Sequence, residues 1–140
     1  MAGDLEGEQA FEETVRQHHP PDGRLPPVIH CDDRVEGVQN VLDKLFRLPH
    51  PPTAILVSRP THALTVVTYL LKAGFRIPDD VSIISRDSEN FLKSVLPSLA
   101  CYVCDDRMLV GRLVRTMIQL AGAGTLKSSP AFFMPPFRKG

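Results

Sequence analysis

The sequence predicts an α/β domain, built as a three-layer, mostly parallel sheet with helices on both faces. Three observations predict it. Short apolar runs of strand length alternate with longer stretches whose apolar residues recur at helical spacing, the pattern of strands joined by crossover helices. Residues 52–87 give the best example: 53–57 read as a strand, Ala63, Leu64, Val67, Leu70 and Leu71 as a helical stripe, and 81–84 as a second buried strand. Turn-forming residues fall between these segments, with Ser58-Arg59-Pro60 before the helix, Gly74 after it and Pro78-Asp79-Asp80 before the second strand.

The remaining elements follow in order. Residues 1–7 read as a frayed start, and 8–18 as a helix with Ala10, Phe11, Thr14 and Val15 along one side, broken by His19-Pro20-Pro21-Asp22-Gly23. Residues 27–30 read as a short strand. Asp33 with Glu36 three residues later forms a capping-box pair, opening a helix with Val35, Val38, Leu42, Leu45 and Phe46 on its apolar side. Pro49, Pro51 and Pro52 end that helix. In the central helix, Lys72 suits the negative end and Gly74 can close it in the left-handed conformation. Beyond the central unit, 89–95 read as a short helix and 100–103 as a strand. Asp105 or Asp106 then caps a helix running through Leu109, Leu113, Met117 and Leu120 to Gly122. A loop over 124–130 leads to a closing strand at 131–134, where Pro135-Pro136 marks an edge strand or its exit.

Composition narrows the function. The 140 residues, 43% hydrophobic, suffice for one α/β domain with a core. Sixteen basic residues are offset by sixteen acidic ones and scattered, without the basic stripe of a chain that grips nucleic acid. No apolar run reaches membrane-spanning length, and Asp4, Glu6 and Glu8 occupy the place of a signal peptide's basic start. Three cysteines suit a reducing compartment better than a disulfide framework. The expectation is a cytoplasmic chain without a membrane partner.

Ligands of such sheets bind outside the carboxyl ends of the strands. The residues that follow each strand are His30 with Asp32, Ser58 with Arg59, Ser85 with Arg86 and Asp87, and Cys104 with Asp105. Polar residues also belong at helix caps and solvated turns, so the same residues have an ordinary structural reading. Other chemistry finds little support. Cys101 and Cys104 are three apart at a strand end, facing opposite sides, and no second pair completes a zinc site. Cys31 beside His30 points away from it on a strand. No Gly-x-Ser-x-Gly elbow, phosphate loop or i, i+4 histidine pair is present. Neither an enzyme nor a metal or other cofactor is expected.

The order and spacing of Pro52-Thr53-Ala54-Ile55, Ala63, the run from Gly74 through Pro78-Asp79-Asp80-Val81-Ser82-Ile83, Asp87 and Pro97-Ser98-Leu99 resemble a known family. It is that of the effector-binding domains of lactose-repressor (LacI) type transcriptional regulators and their relatives, the periplasmic sugar-binding proteins. The resemblance implies a truncated C-terminal subdomain of the type I periplasmic-binding-protein-like fold. Residues 1–140 would form a single partial domain, with 8–104 and 128–140 as the subdomain core. The helix over 105–127 would be one that in the family packs on the other subdomain. DNA contact would be made by a headpiece that this chain lacks.

By the same resemblance, Asp87 falls on the family's ligand-contacting Asp, which accepts hydrogen bonds from sugar hydroxyls. Arg59 stands where the family has an Asn, Arg86 where it has an aromatic, and Cys104 where a Gln is usual. Ser58, Asp32 and Asp105 complete the expected ligand set. Two guanidinium groups beside a carboxylate suit a ligand bearing a carboxylate or phosphate, because Arg binds such groups through paired hydrogen bonds. The alternative is that Arg59 and Arg86 pair with Asp87 or Asp105, or point to solvent. The resemblance further implies a homodimer through His62, Thr65, Val66 and Tyr69 of the central helix, with Phe91 and Leu92 of the segment after Asp87. The unpartnered stripe of Leu109, Leu113, Met117 and Leu120 would fold back onto this half or drive self-association. A solute-binding protein of the same fold, or a stand-alone interaction module, are the other functions such a chain supports.

Overall fold

A computed structural model describes residues 2–18, 26–103, 106–125 and 134–140. The chain divides into two compact units, Met1–Asp32 and Asp33–Gly140. The first holds helix α1, Ala2–Gln17. This helix covers residues 2–7, within the stretch expected to be frayed. An Arg16–Glu12 pair one turn apart supports it at 3.2 Å, and Glu8 receives His30 Nε2 at 3.2 Å. Residues 27–30, expected as a strand, belong to no strand of the sheet. Local β propensity needs a ladder partner to become a strand, and this segment has none among the described residues.

The second unit carries helix α2 (Val35–Phe46), strand β1 (Ala54–Val57), helix α3 (Pro60–Lys72) and strand β2 (Ser82–Ser85). A short 3₁₀ helix (Asn90–Ser94), strand β3 (Ala100–Tyr102), helix α4 (Asp106–Ala123) and strand β4 (Phe137–Arg138) follow. The sheet order is β1-β2-β3-β4, with the first three strands parallel and β4 antiparallel to β3. Of the closing strand expected at 131–134, residues 131–133 lie outside the described residues, and the strand that pairs is Phe137–Arg138.

The register puts Val57 beside Ser85 and Ser85 beside Cys101. This row is buried, with Ser85 and Cys101 both 0% exposed. Ala63, Val66, Val67 and Leu70 of α3 and Val38 and Leu42 of α2 are buried as well, and α2 packs on α3, which packs on β1 and β2. Phe46 meets Phe75 at 4.8 Å between ring centroids and Tyr69 at 6.4 Å. The opposite row of the sheet is more open, Leu56 and Tyr102 being 47% and 39% exposed.

Two local readings are corrected. Asp33 does not cap α2: the N-cap residue is Arg34, with no side-chain cap bond. Along α3, Leu64 and Leu71 of the expected stripe are exposed, while Val66 is buried in their place. The close of α3 is as expected. Gly74 adopts φ +85°, its N–H reaches Leu71 O at 3.1 Å, and the Phe75 N–H reaches Leu70 O at 3.0 Å. Those two bonds satisfy carbonyls that the helix end leaves open.

Candidate functional site

The site grows from the carboxyl ends of β1 and β2. Pro60 begins α3 at a position where its missing N–H costs nothing, so the preceding residue, Arg59, becomes the extended N-cap. Having no capping bond to make, the Arg59 side chain reaches sideways and its Nη1 donates to Asp33 Oδ1. His62, three residues on and therefore on the same face of the first turn, brings Nε2 to 3.6 Å from the same oxygen. The His62 side chain is 14% exposed, whereas Asp33 and Arg59 are 67% and 49% exposed.

The end of β2 is stitched to the end of β1, since the Arg86 N–H donates to Val57 O at 2.8 Å. Ser85, fully buried, donates from Oγ to the Asp87 backbone carbonyl at 2.6 Å, which fixes the turn that presents Asp87. The Arg86 guanidinium lies along the Asp87 carboxylate, with Nη2 at 3.0 Å and Nε at 3.3 Å from Oδ2. Because β1 and β2 are neighbours in register, Ser58-Arg59 and Arg86-Asp87 leave the sheet side by side. Two ion pairs, Arg59–Asp33 with His62 beside it and Arg86–Asp87, thus follow the ends of the adjacent strands β1 and β2. Pairs this exposed hold weakly.

Of the residues expected to bind ligand, Ser58, Arg59, Arg86 and Asp87 are brought together. Asp32 is exposed and ends the first unit, and Asp105 lies outside the described residues. Arg86 pairs with Asp87, one of the alternatives weighed from the sequence; Arg59 takes Asp33, which was not among them. Asp33 and His62 join the cluster without having been assigned to it, although the helical spacing from Arg59 to His62 was readable. Of the residues expected at a dimer surface, Val66 and Leu92 are buried in this chain's own core at 4% and 1%. Phe91 is 38% exposed. Tyr69 donates to Asp43 Oδ1 at 2.6 Å, and this hydrogen bond raises its pKa above the ordinary 10. Among the described residues no three His, Cys, Asp or Glu side chains gather as metal ligands would, and no helix is long and apolar enough to cross a membrane.

Residues 4–139 match the profile of the family described as periplasmic binding protein-like domain. The chain belongs to that family. Within it, this periplasmic-binding-protein-like domain is 30% identical over 92 residues to the Bacillus subtilis (strain 168) protein described as "Probable HTH-type transcriptional repressor ExuR". That alignment takes in 66% of this chain and 27% of the other. Its fold is shared by LacI family regulators from Bifidobacterium animalis subsp. lactis (TM-score 0.73, 23% identity, 94% of this chain and 46% of that one). The same holds for Clostridium acetobutylicum (TM-score 0.74, 19% identity, 94% and 49%). A regulator from Arthrobacter sp. FB24, solved as a complex with lactose, superposes with a TM-score of 0.67 at 20% identity, over 84% of this chain and 43% of that one. The chain thus spans 27% of the curated relative and just under half of these structures. The resemblance read from residues 52–99 agrees with this family match, and the fold shared with LacI family regulators accords with it.

Proposed function

We propose that this domain is the ligand-sensing and dimerising part of a LacI-type transcriptional regulator. A small sugar-like or anionic effector binds at the carboxyl ends of β1 and β2, and regulates DNA binding by a headpiece outside this sequence. The observation that carries the reading is the emergence of Arg59, Arg86 and Asp87 side by side from adjacent parallel strands. Strand ends are where this class of sheet receives ligands. The carboxylate of Asp87 can accept sugar hydroxyls and the guanidinium groups can pair with an acidic substituent. The repressor description of the Bacillus relative and the lactose in the Arthrobacter structure support the regulatory and sugar parts of the reading. The protein works in the cytoplasm, without catalysis. It forms a homodimer through the exposed parts of α3 and the 3₁₀ segment, around His62, Thr65, Tyr69 and Phe91, with Val66 and Leu92 supporting that surface from beneath.

The test is ligand-induced thermal stabilisation of the purified chain across a panel of sugars, sugar acids and sugar phosphates. At least one class raises the melting temperature of the natural protein, and Arg59→Ala or Arg86→Ala abolishes that rise. Shifts that survive both substitutions remove the site from these strand ends.

A further inference from the structure

The Arg59 guanidinium already holds a carboxylate, that of Asp33, and this partner comes from the segment just before α2 rather than from the strand-end turns themselves. His62 Nε2 stands 3.6 Å from the same Asp33 oxygen, so Asp33 keeps a polar neighbour if Arg59 leaves it. Arg86 is held differently, by the residue next to it in sequence, with two nitrogens on one Asp87 oxygen. We propose that Asp33 is an internal stand-in for the acidic group of the ligand: it occupies Arg59 until a monosaccharide bearing a carboxylate or phosphate displaces it. The inference rests on the ligand site proposed above and narrows its ligand to a sugar that carries an anion.

The physical reasons are three. A guanidinium pairs with a carboxylate or phosphate through two parallel N–H bonds, which a neutral hydroxyl cannot match. The pair to be broken is half open to water on the arginine side and more so on the aspartate side, so opening it costs little. An anion arriving at Arg59 brings its own charge, whereas a neutral sugar would have to leave the Arg59–Asp33 pair in place and gain nothing from it. Asp33 therefore acts as a threshold that an acidic ligand passes and a neutral one does not exploit.

The experiment measures the rate at which phenylglyoxal modifies Arg59 in the whole chain, by peptide mass spectrometry, in the natural protein, Asp33→Asn and Asp33→Glu. Glucose, glucuronate and glucose 6-phosphate serve as protectants. Freed of its partner, Arg59 is modified about two- to fivefold faster in D33N, the range an exposed ion pair supports, while D33E stays slow. Glucuronate or glucose 6-phosphate then protects Arg59, at two- to fivefold lower concentration in D33N, and glucose does not. Protection by glucuronate alone identifies the anion as a carboxylate, and by glucose 6-phosphate alone as a phosphate. Equal modification rates in D33N and the natural protein overturn the stand-in role, and the ligand site survives if melting shifts still depend on Arg59 and Arg86. Protection by glucose as strong as by its acids overturns the anionic class alone. If none of the three protects Arg59 in any variant, the inference falls, and melting shifts absent across the panel would take the site with it.

Discussion

Gly74 follows Ala73, the C-cap of α3, in the left-handed region at φ +85°, with open space where a Cβ would stand. The cost of a side chain there is a backbone cost alone. Gly74→Ala should lower stability by about 1 kcal/mol, read as a lower urea midpoint at unchanged slope. A few residues on, the Arg76 guanidinium and backbone N–H both donate to Asp80, at 2.7 Å for the N–H and 2.7 and 3.1 Å for Nη2 and Nε. These bonds hold the Asp80 carboxyl down to about 2 from its ordinary 3.8. A depressed carboxyl stabilises the fold above its unfolded pKa, and that contribution fades as pH falls from 3.8 toward 2. Acid titrations of stability should show this limb in the natural protein and lose it in Asp80→Asn. Asp33 illustrates what a single residue conceals. Its spacing to Glu36 reads as a cap, yet a carboxylate goes to the strongest donor in reach, and in the fold that is Arg59, 26 positions away.

At the scale of elements, β1, α3 and β2 were legible because each is written in local periodicity and bounded by its own turn residues. The face that α3 buries was legible only in part. Lying between the sheet and α2, it buries a wider arc than one stripe, so Val66 turns inward and Leu64 and Leu71 remain 39% and 45% exposed. The strand expected at 27–30 failed for the converse reason, since a strand exists only in its ladder. Helix α4 was legible as a helix, but its periodicity does not say what covers it. Met117 and Ile118 are 68% and 66% exposed, and Leu113 is 54% exposed. Replacing both Met117 and Ile118 by Glu should therefore change unfolding free energy by no more than about 0.5 kcal/mol each. Fluorescence of an apolar dye bound to the protein should fall, because an exposed apolar face is what such dyes report. A melting temperature several degrees lower would mean that α4 is packed in solution.

For the molecule as a whole, family and fold were readable from about fifty residues, because order and spacing over that length preserve the turns and strand ends that build the sheet. The candidate site was half readable. The strand-end rule located Ser58, Arg59, Arg86 and Asp87, while the Asp33 and His62 contributions depend on α2 coming alongside α3, which no local pattern encodes. The proposed function puts a small effector at these strand ends. The most direct measurement is a titration of the ¹⁵N-labelled chain with glucose, glucuronate and glucose 6-phosphate, followed by amide chemical shifts. Saturable shifts concentrated at residues 57–62 and 84–88 are expected, strongest with an acidic sugar. Saturable shifts confined to other parts of the domain, or none with any of the three, would contradict the proposed function.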